Sequence, residues 1–236
     1  MTAYPGAVAT EPLLALDTSA GTCVAVVVEG RSVVSRELVE ARGHAEHLAP
    51  LIEAALADAG VSGADLAGIA VGTGPAPFTG LRVGLVSATM LGRALGIPVW
   101  GVPSLDAWAA AAFASDAELE SVRVVTDARR KEIYSALYER TDGGVGFHQV
   151  GDFAVGKASD LFPSQELRAT DTLVGPGLAL YPEWAEASGA RLAKVNFDVG
   201  QLAVIGAARA AAGEPTGTEP LYLRRPDVHG VAGGRL

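Results

Sequence analysis

The stretch Val71-Gly72-Thr73-Gly74-Pro75-Ala76-Pro77-Phe78-Thr79-Gly80-Leu81-Arg82-Val83-Gly84 constrains the fold more than any other part of the chain. An apolar run, Ile69-Ala70-Val71, stops at Gly72, and Pro75 and Pro77 stiffen the turn beyond it. Apolar residues then return at Leu81, Leu85, Ala88 and Leu95 with helical spacing. The segment reads as a strand, a rigid turn and a helix, an arrangement met at the edge of parallel sheets, where clefts and ligands also lie. Two phosphate-binding fingerprints fail to fit it. A Walker loop needs Lys and Ser or Thr after its last glycine, and here Leu81-Arg82 follows Gly80. The dinucleotide fingerprint fails because Pro77 stands where the third glycine belongs. Gly80, Gly84 and Ala88 recur every four residues, although glycine inside a helix costs about 1 kcal/mol relative to alanine. A close neighbour must offset that cost, either the chain's own sheet or a helix from another chain.

Around this motif the chain divides into halves. Residues 13–16 form an apolar strand ending in Asp17-Thr18-Ser19-Ala20-Gly21-Thr22, residues 23–28 a second, and residues 33–40 a third after the turn Gly30-Arg31-Ser32. Leu48, Leu51, Ile52, Ala55, Leu56 and Ala59 keep helical spacing up to Gly60. That helix starts either near His47, with Pro50 in its first turn, or at His44 with a kink. Beyond the opening motif come a strand at 97–102 and a helix at 105–113, for which Ser104 is the expected N-cap. The polar, acidic residues 114–121 mark a boundary.

The second half starts like the first. Residues 122–126 are an apolar strand ending in Asp127, 133–138 and 147–155 are further strands, and Leu173-Val174-Gly175-Pro176-Gly177 again leads a strand into a glycine turn. Helical patterns follow at 179–187 and 201–212. Asp17 to Cys23 spans six positions, as does Asp127 to Ile133, which is what a diverged duplication leaves behind. The expected organisation is α/β, with a flexible extension at 1–12, one half at 13–114, a second at 122–224 and a loose tail at 225–236.

Composition narrows the function classes. A formal charge of -9 counts against the chain gripping nucleic acid by itself, since that affinity comes from clustered Lys and Arg. Basic groups occur only locally, at Arg129-Arg130-Lys131 and Arg224-Arg225, so a partner would carry most of any RNA contact. Trp100, Trp108 and Trp184 are too scattered for a stacking platform. No apolar run reaches bilayer length and the first residues lack a signal peptide's regions, so a cytoplasmic location is expected. Cys23 is the only cysteine and lies in an apolar strand, where it reads as a small core residue.

Paired strand meanders, each opening with a strand that ends in Asp, resemble the actin and sugar-kinase superfamily. Four motifs narrow the resemblance: Leu14-Ala-Leu-Asp-Thr-Ser, His44-x-x-x-Leu48-x-Pro50-Leu51-Ile52, Gly72-x-Gly74-Pro75-x-x-Phe78-Thr79-Gly80-Leu81-Arg82-x-Gly84, and Asp127-Ala-Arg-Arg-x-Glu132-x-Tyr134. In content and chain order they are similar to the bacterial TsaB (YeaZ) family, over about residues 13–224. Ala76-Pro77 departs from that family's usual Gly-Ser. The resemblance implies a duplicated actin-like (ribonuclease H-like) ATPase fold, each half a central mixed sheet flanked by helices. It also implies a non-catalytic subunit in the synthesis of threonylcarbamoyladenosine beside the tRNA anticodon. Its implied partner is the catalytic paralogue TsaD, which carries the metal and transfers the threonylcarbamoyl group, with the ATPase TsaE joining them. It would meet tRNA only indirectly, and would pair with itself when alone. No cofactor is implied for this chain by itself, and ATP with Mg would belong to the complex.

On this reading Leu48, Leu51, Ile52, Gly80, Arg82, Gly84 and Ala88 face the partner, and Gly84→Leu should break the complex while leaving the monomer folded. The superfamily's phosphate site would fall on Asp17, Thr18, Ser19 and Thr22, with Asp127 and Arg129 opposite, as a vestigial nucleotide cradle. Asp17 as the metal-ordering acid of a stand-alone ATPase or phosphotransferase is the alternative. The simpler reading is a hairpin whose Asp and Ser satisfy their own turn, since the second loop is Ala128-Arg129-Arg130-Lys131 in place of glycines. His44 and His47 stand three apart with Glu46 between them, which is not the H-E-x-x-H of a zinc peptidase, and no metal site is expected. Tyr134 and Tyr138 alternate with Ile133 and Leu137 as if one strand face were solvated.

Overall fold

In the computed structural model, which describes residues 10–38, 43–141, 146–163, 167–168 and 170–224, the two halves follow one strand plan. In the first half, β1 (Leu13–Asp17), β2 (Thr22–Val28) and β3 (Arg31–Leu38) form an antiparallel meander. Helix α1 (His44–Ala59) then leads to β4 (Gly68–Gly72), α2 (Phe78–Leu95), β5 (Val99–Val102) and α3 (Ser104–Ser115). β4 lies parallel to β1 and β5 parallel to β4, giving the order β3-β2-β1-β4-β5.

The second half has β6 (Ser121–Asp127), β7 (Ile133–Arg140), β8 (Phe147–Gly156), α4 (Ala158–Leu161) and β9 (Thr172–Val174). After them come α5 (Gly177–Leu180), α6 (Pro182–Ala187), β10 (Arg191–Leu192) and α7 (Gly200–Ala211). Its order, β10-β9-β6-β7-β8, repeats the first sheet. The six-residue interval seen in the sequence is one hairpin used twice, since Asp17 faces Cys23 and Asp127 faces Ile133 across their ladders. This is the duplicated actin-like arrangement of two mixed five-stranded sheets with helices on their faces.

Side-chain alternation explains the layering. On β1 and β2, Leu14, Leu16, Val24 and Val26 turn to an outer cluster with α1 and α2, whereas Leu13, Ala15, Cys23, Ala25 and Val27 turn inward. The inner cluster continues through α3 and α7 to Val122, Val124, Ala136 and Tyr138 of the second sheet. The two helices are exchanged between halves: α3 packs mainly on β6 and β7, while α7 packs on β1, β4 and β5. The residues expected to complete the second half therefore lie partly on the first sheet.

Of the two starts open for helix α1, the structure has the one at His44, so Pro50 sits in its interior and leaves one carbonyl without its helical donor. Other local expectations change. Residues 179–187 are broken into α5 and α6 and are not one helix. Tyr134 and Tyr138 are both buried on the face of β7 that they share with Ala136, turned to the inner core, while the other face runs from buried Ile133 to exposed Glu139. Cys23 is buried as expected, and burial, with the Asp17 and Glu37 carboxylates adding to it, pushes its thiol well up and leaves it unreactive. The expected tail at 225–236 and most of the extension at 1–12 lie outside the described residues.

One polar cluster ties the halves through their shared core. Asp106 of α3, 1% exposed, accepts from Tyr138 Oη of β7 at 2.7 Å and from Arg209 Nη2 of α7 at 2.6 Å. Burial pushes the Asp106 carboxyl up, and the Arg209 cation and Tyr138 hydroxyl draw it partly back. Replacing Arg209 with Met leaves the acid buried without its cation, at an expected loss of about 3 kcal/mol. The folded state of that variant then holds a proton on Asp106 more tightly than the unfolded chain does. Its stability should therefore recover as pH falls towards the ordinary carboxylate range and decline as pH rises through the raised pKa. Urea unfolding at pH 5 and pH 8 checks both parts.

Candidate functional site

Strand β1 ends at the mouth of the groove between the halves, and the geometry there begins with Asp17. Its carboxylate is 1% exposed. Oδ1 accepts from the backbone N–H of Ser19 at 2.7 Å and from Ser19 Oγ at 2.5 Å, so the acid closes its own turn. Oδ2 accepts from Ser104 Oγ at 2.5 Å, and Ser104 Oγ in turn accepts from the N–H of Gly74 at 3.2 Å. Ser104 is thus the first residue of α3 and not its cap; its hydroxyl turns away from its own helix to reach Asp17. Gly72 makes the contact possible. A Cβ at that position would stand 1.9 Å from Asp17 Oδ2 and 2.6 Å from Ser104 Oγ. Both carboxylate oxygens therefore look into the protein, which does not fit the ordering of a hydrated metal on this acid.

The neighbouring Thr18 answers the question raised by the glycine stripe. Its Oγ1 donates to the carbonyl of Gly80 at 2.9 Å and accepts from the N–H of Gly84 at 3.1 Å, spanning one turn of α2. A Cβ on Gly84 would stand 2.5 Å from Thr18 Oγ1. The small residues of α2 thus let the first hairpin of the same chain approach, and the assignment of Gly84 to a partner interface is corrected. Leu48, Ile52 and Ala88 are corrected with it, since all three are buried in the outer core of the first sheet. Of the seven residues expected at the interface, Arg82 is exposed and Leu51 and Gly80 are half-buried. The large apolar residues that α2 shows to solvent are Val86 and Met90, each 60% exposed and one turn apart. Sequence spacing alone marks them only as the positions out of phase with Leu81, Leu85 and Ala88.

Opposite Asp17, the second hairpin carries Asp127, whose Oδ1 accepts from the N–H of Arg129 at 2.7 Å and whose Oδ2 pairs with Arg129 Nη1 at 3.1 Å. Asp127 and Arg129 therefore satisfy one another. Arg129, Arg130 and Lys131 all have left-handed backbones, with φ of 62°, 56° and 62°, and all are exposed. Between the hairpins lies a cleft of about 330 Å³. Prolines 75, 77 and 176, Leu105, Trp108 and Leu180 furnish much of its wall, with Ser19, Thr126, Asp127 and Arg129 at its polar side. Thr22 is buried behind the first hairpin. Of the sequence-predicted cradle residues, Ser19, Asp127 and Arg129 line one groove, whereas Asp17 is buried behind Ser19 and Ser104 and Thr18 turns to α2. Of the histidine pair, the side chain of His44 lies outside the described residues, and no group of three or more potential metal ligands occurs among those described.

Comparisons with known proteins agree with this architecture. The family model described as "TsaD: tRNA N6-adenosine threonylcarbamoyltransferase" matches residues 33–168. An uncharacterized protein of Mycobacterium tuberculosis is 41% identical over 93% of this chain and 95% of its own length. The tRNA threonylcarbamoyladenosine biosynthesis protein TsaB of Escherichia coli is 29% identical over 75% of this chain and 76% of its own. A crystal structure from Pseudomonas aeruginosa, of a protein described as similar to peptidase YEAZ, superposes with a TM-score of 0.74 at 30% identity. It covers 91% of this chain and all of that one.

The contact between Thr18 and α2 has a measurable sign. Glycine to alanine inside a helix ordinarily gains about 1 kcal/mol. At Gly84 the added methyl meets Thr18, and Gly84→Ala should instead cost about 2 kcal/mol by overpacking. In a Thr18→Ala background the same substitution should cost much less, so a double-mutant cycle on urea midpoints should show strong coupling. Additive effects would place the methyl elsewhere.

Proposed function

The chain belongs to the TsaB (YeaZ) family, and from that premise we propose that it is a non-catalytic subunit of the assembly that places threonylcarbamoyl on tRNA adenosine, pairing with a TsaD-type transferase. The observation that carries this reading is the state of Asp17. An acid that accepts from Ser19 twice and from Ser104 once, all within its own chain, has little left to order metal and phosphate, which favours a structural use of the cradle. The opposite loop points the same way. A phosphate-gripping hairpin needs backbone N–H groups brought close by glycine, and here bulky Arg129, Arg130 and Lys131 occupy the turn. The net charge of -9 supports a role in which the transferase supplies most of the tRNA contact.

The partner surface is assigned to the outward side of α2, with Val86 and Met90 at its centre, and with exposed Arg82 towards the N-terminal end. Two large apolar side chains one helical turn apart on the solvent side of α2 suit the helix of a paralogue or a second copy of the chain. The chain should form a one-to-one complex with the TsaD homologue of its own organism, read as mass by light scattering. Val86→Glu with Met90→Glu should weaken that complex at least about tenfold, with the thermal midpoint of the monomer unchanged because both positions face solvent. A complex untouched by the double substitution would move the interface off α2. ATP turnover by the isolated chain, abolished in Asp17→Asn, would overturn the non-catalytic reading.

A further inference from the structure

Beyond α7 the chain turns back over the edge of the first sheet. The N–H of Gly101 in β5 donates to the carbonyl of Thr216 at 2.9 Å, and the N–H of Leu221 to that of Thr73 at 2.8 Å. The carbonyl oxygen of Gly217 lies 2.0 Å from where a Cβ on Gly101 would stand, so that glycine makes room for the crossing segment. Next comes a stack on the first turns of α2. Tyr222 lies on Phe78 with ring centres 4.8 Å apart, Arg82 sits 3.7 Å above the Phe78 ring, and Arg82 Nε donates to Tyr222 Oη at 2.9 Å. Two residues on, the segment reaches the other half. Arg224 Nη1 donates to the carbonyl of Ala128 at 3.1 Å, and Nη2 forms an ion pair with Glu132.

Ala128 and Glu132 are the two ends of the left-handed turn at 129–131. L-residues other than glycine, asparagine and aspartate enter that region at a steric cost, and consecutive ones persist only where their surroundings fix them. Within the hairpin, the N–H of Ala128 donates to the Glu132 carbonyl at 2.9 Å and the N–H of Glu132 to the Arg129 carbonyl at 3.0 Å. Tyr181 Oη reaches the Glu132 carbonyl at 3.3 Å from the α5–α6 side. Arg224 grips both ends from the first half's side, and it also puts a cation where Glu132 can offset it beside three others.

We propose that residues 214–224 are a strap that holds the basic turn 129–131 in its left-handed form and couples it to α2 through the grip of Arg82 on Tyr222. Arg82 holds Tyr222, the residue two before Arg224, and Arg224 holds the turn. Whatever acts on Arg82 therefore acts on the turn at the mouth of the cleft. This is a property of the chain alone, and it stands or falls independently of whether α2 meets a partner.

Trypsin supplies the test, because it cuts after Arg129, Arg130 and Lys131 only when the turn opens. Under native conditions, Arg224→Met should speed cleavage at 129–131 about tenfold, and Arg82→Met should speed it about threefold. The double variant should be no faster than Arg224→Met, since both act through one path. Amide exchange in β1 and β4, unchanged in all three, shows that the sheet itself is intact. Should Arg82→Met loosen that sheet, Tyr222→Phe replaces it, deleting only the hydroxyl that accepts from Arg82 while keeping the ring stack, with a rise of about twofold expected. Cleavage accelerated by Arg224→Met but not by a change at Arg82 or Tyr222 would reduce the strap to a local tie and overturn the coupling. Cleavage unchanged in every variant would mean that the hairpin holds its own turn, which overturns the strap altogether.

Discussion

A carboxylate removed from water needs donors to replace the solvent it has lost, and at Asp17 the donors come from two parts of the chain. Ser19 belongs to the same hairpin, while Ser104 opens a helix that begins after the whole first sheet has been laid down. The pairing needs Gly72 to leave its side-chain space empty, and that requirement fixes where β4 ends and the turn towards α2 begins. With the hairpin pinned, Thr18 meets α2 at Gly80 and Gly84. The direction in which α2 shows its remaining side chains follows from that contact. One buried acid thus sets the hairpin, the proline turn and two helices in register, and the solvent face of the first half is a by-product of its interior.

The two hairpins show how one scaffold position takes different chemistry. Asp17 and Asp127 occupy equivalent strand ends, each bonded to the N–H two residues on. The first acid is sealed by a serine from α3 and the second by the guanidinium of its own turn. Between them the groove is walled by proline and large apolar side chains more than by glycine. Such walls hold shape without offering backbone N–H groups to an anion.

Much of the fold is legible in the sequence because its signals are local. Strand ends at Asp17 and Asp127, the equal intervals to Cys23 and Ile133, and the apolar period through Leu81, Leu85 and Ala88 each follow from neighbours a few residues apart. The candidate site is legible only as a set of residues. Period alone cannot tell a glycine stripe that admits a partner from one that admits the chain's own threonine, and the pair that decides it, Thr18 and Gly84, is separated by 66 positions. Ser104 has the side chain of an N-cap, and nothing near it in sequence reveals the competing acceptor at Asp17. The tyrosines of β7 show a similar limit: alternation on a strand predicts one wet face but not which, and the face of Tyr134 and Tyr138 is the one turned to the inner core. The strap has no periodic signal at all, since its contacts are single hydrogen bonds, an ion pair and one aromatic stack.

The exchange of α3 and α7 between the sheets bears on the order in which the molecule can be made. As the chain leaves the ribosome, β1 to β5 can pair early, but the inner face of their sheet stays uncovered until residue 211 has been synthesised. Helix α3 emerges long before that and has no sheet of its own to lie on, because β6 and β7 follow it. Contacts of such long sequence separation make folding slow and keep apolar surface open in the interim. The same exchange makes the halves poor candidates for separation by cutting the chain between 115 and 121, since each fragment would carry away the helix that covers the other.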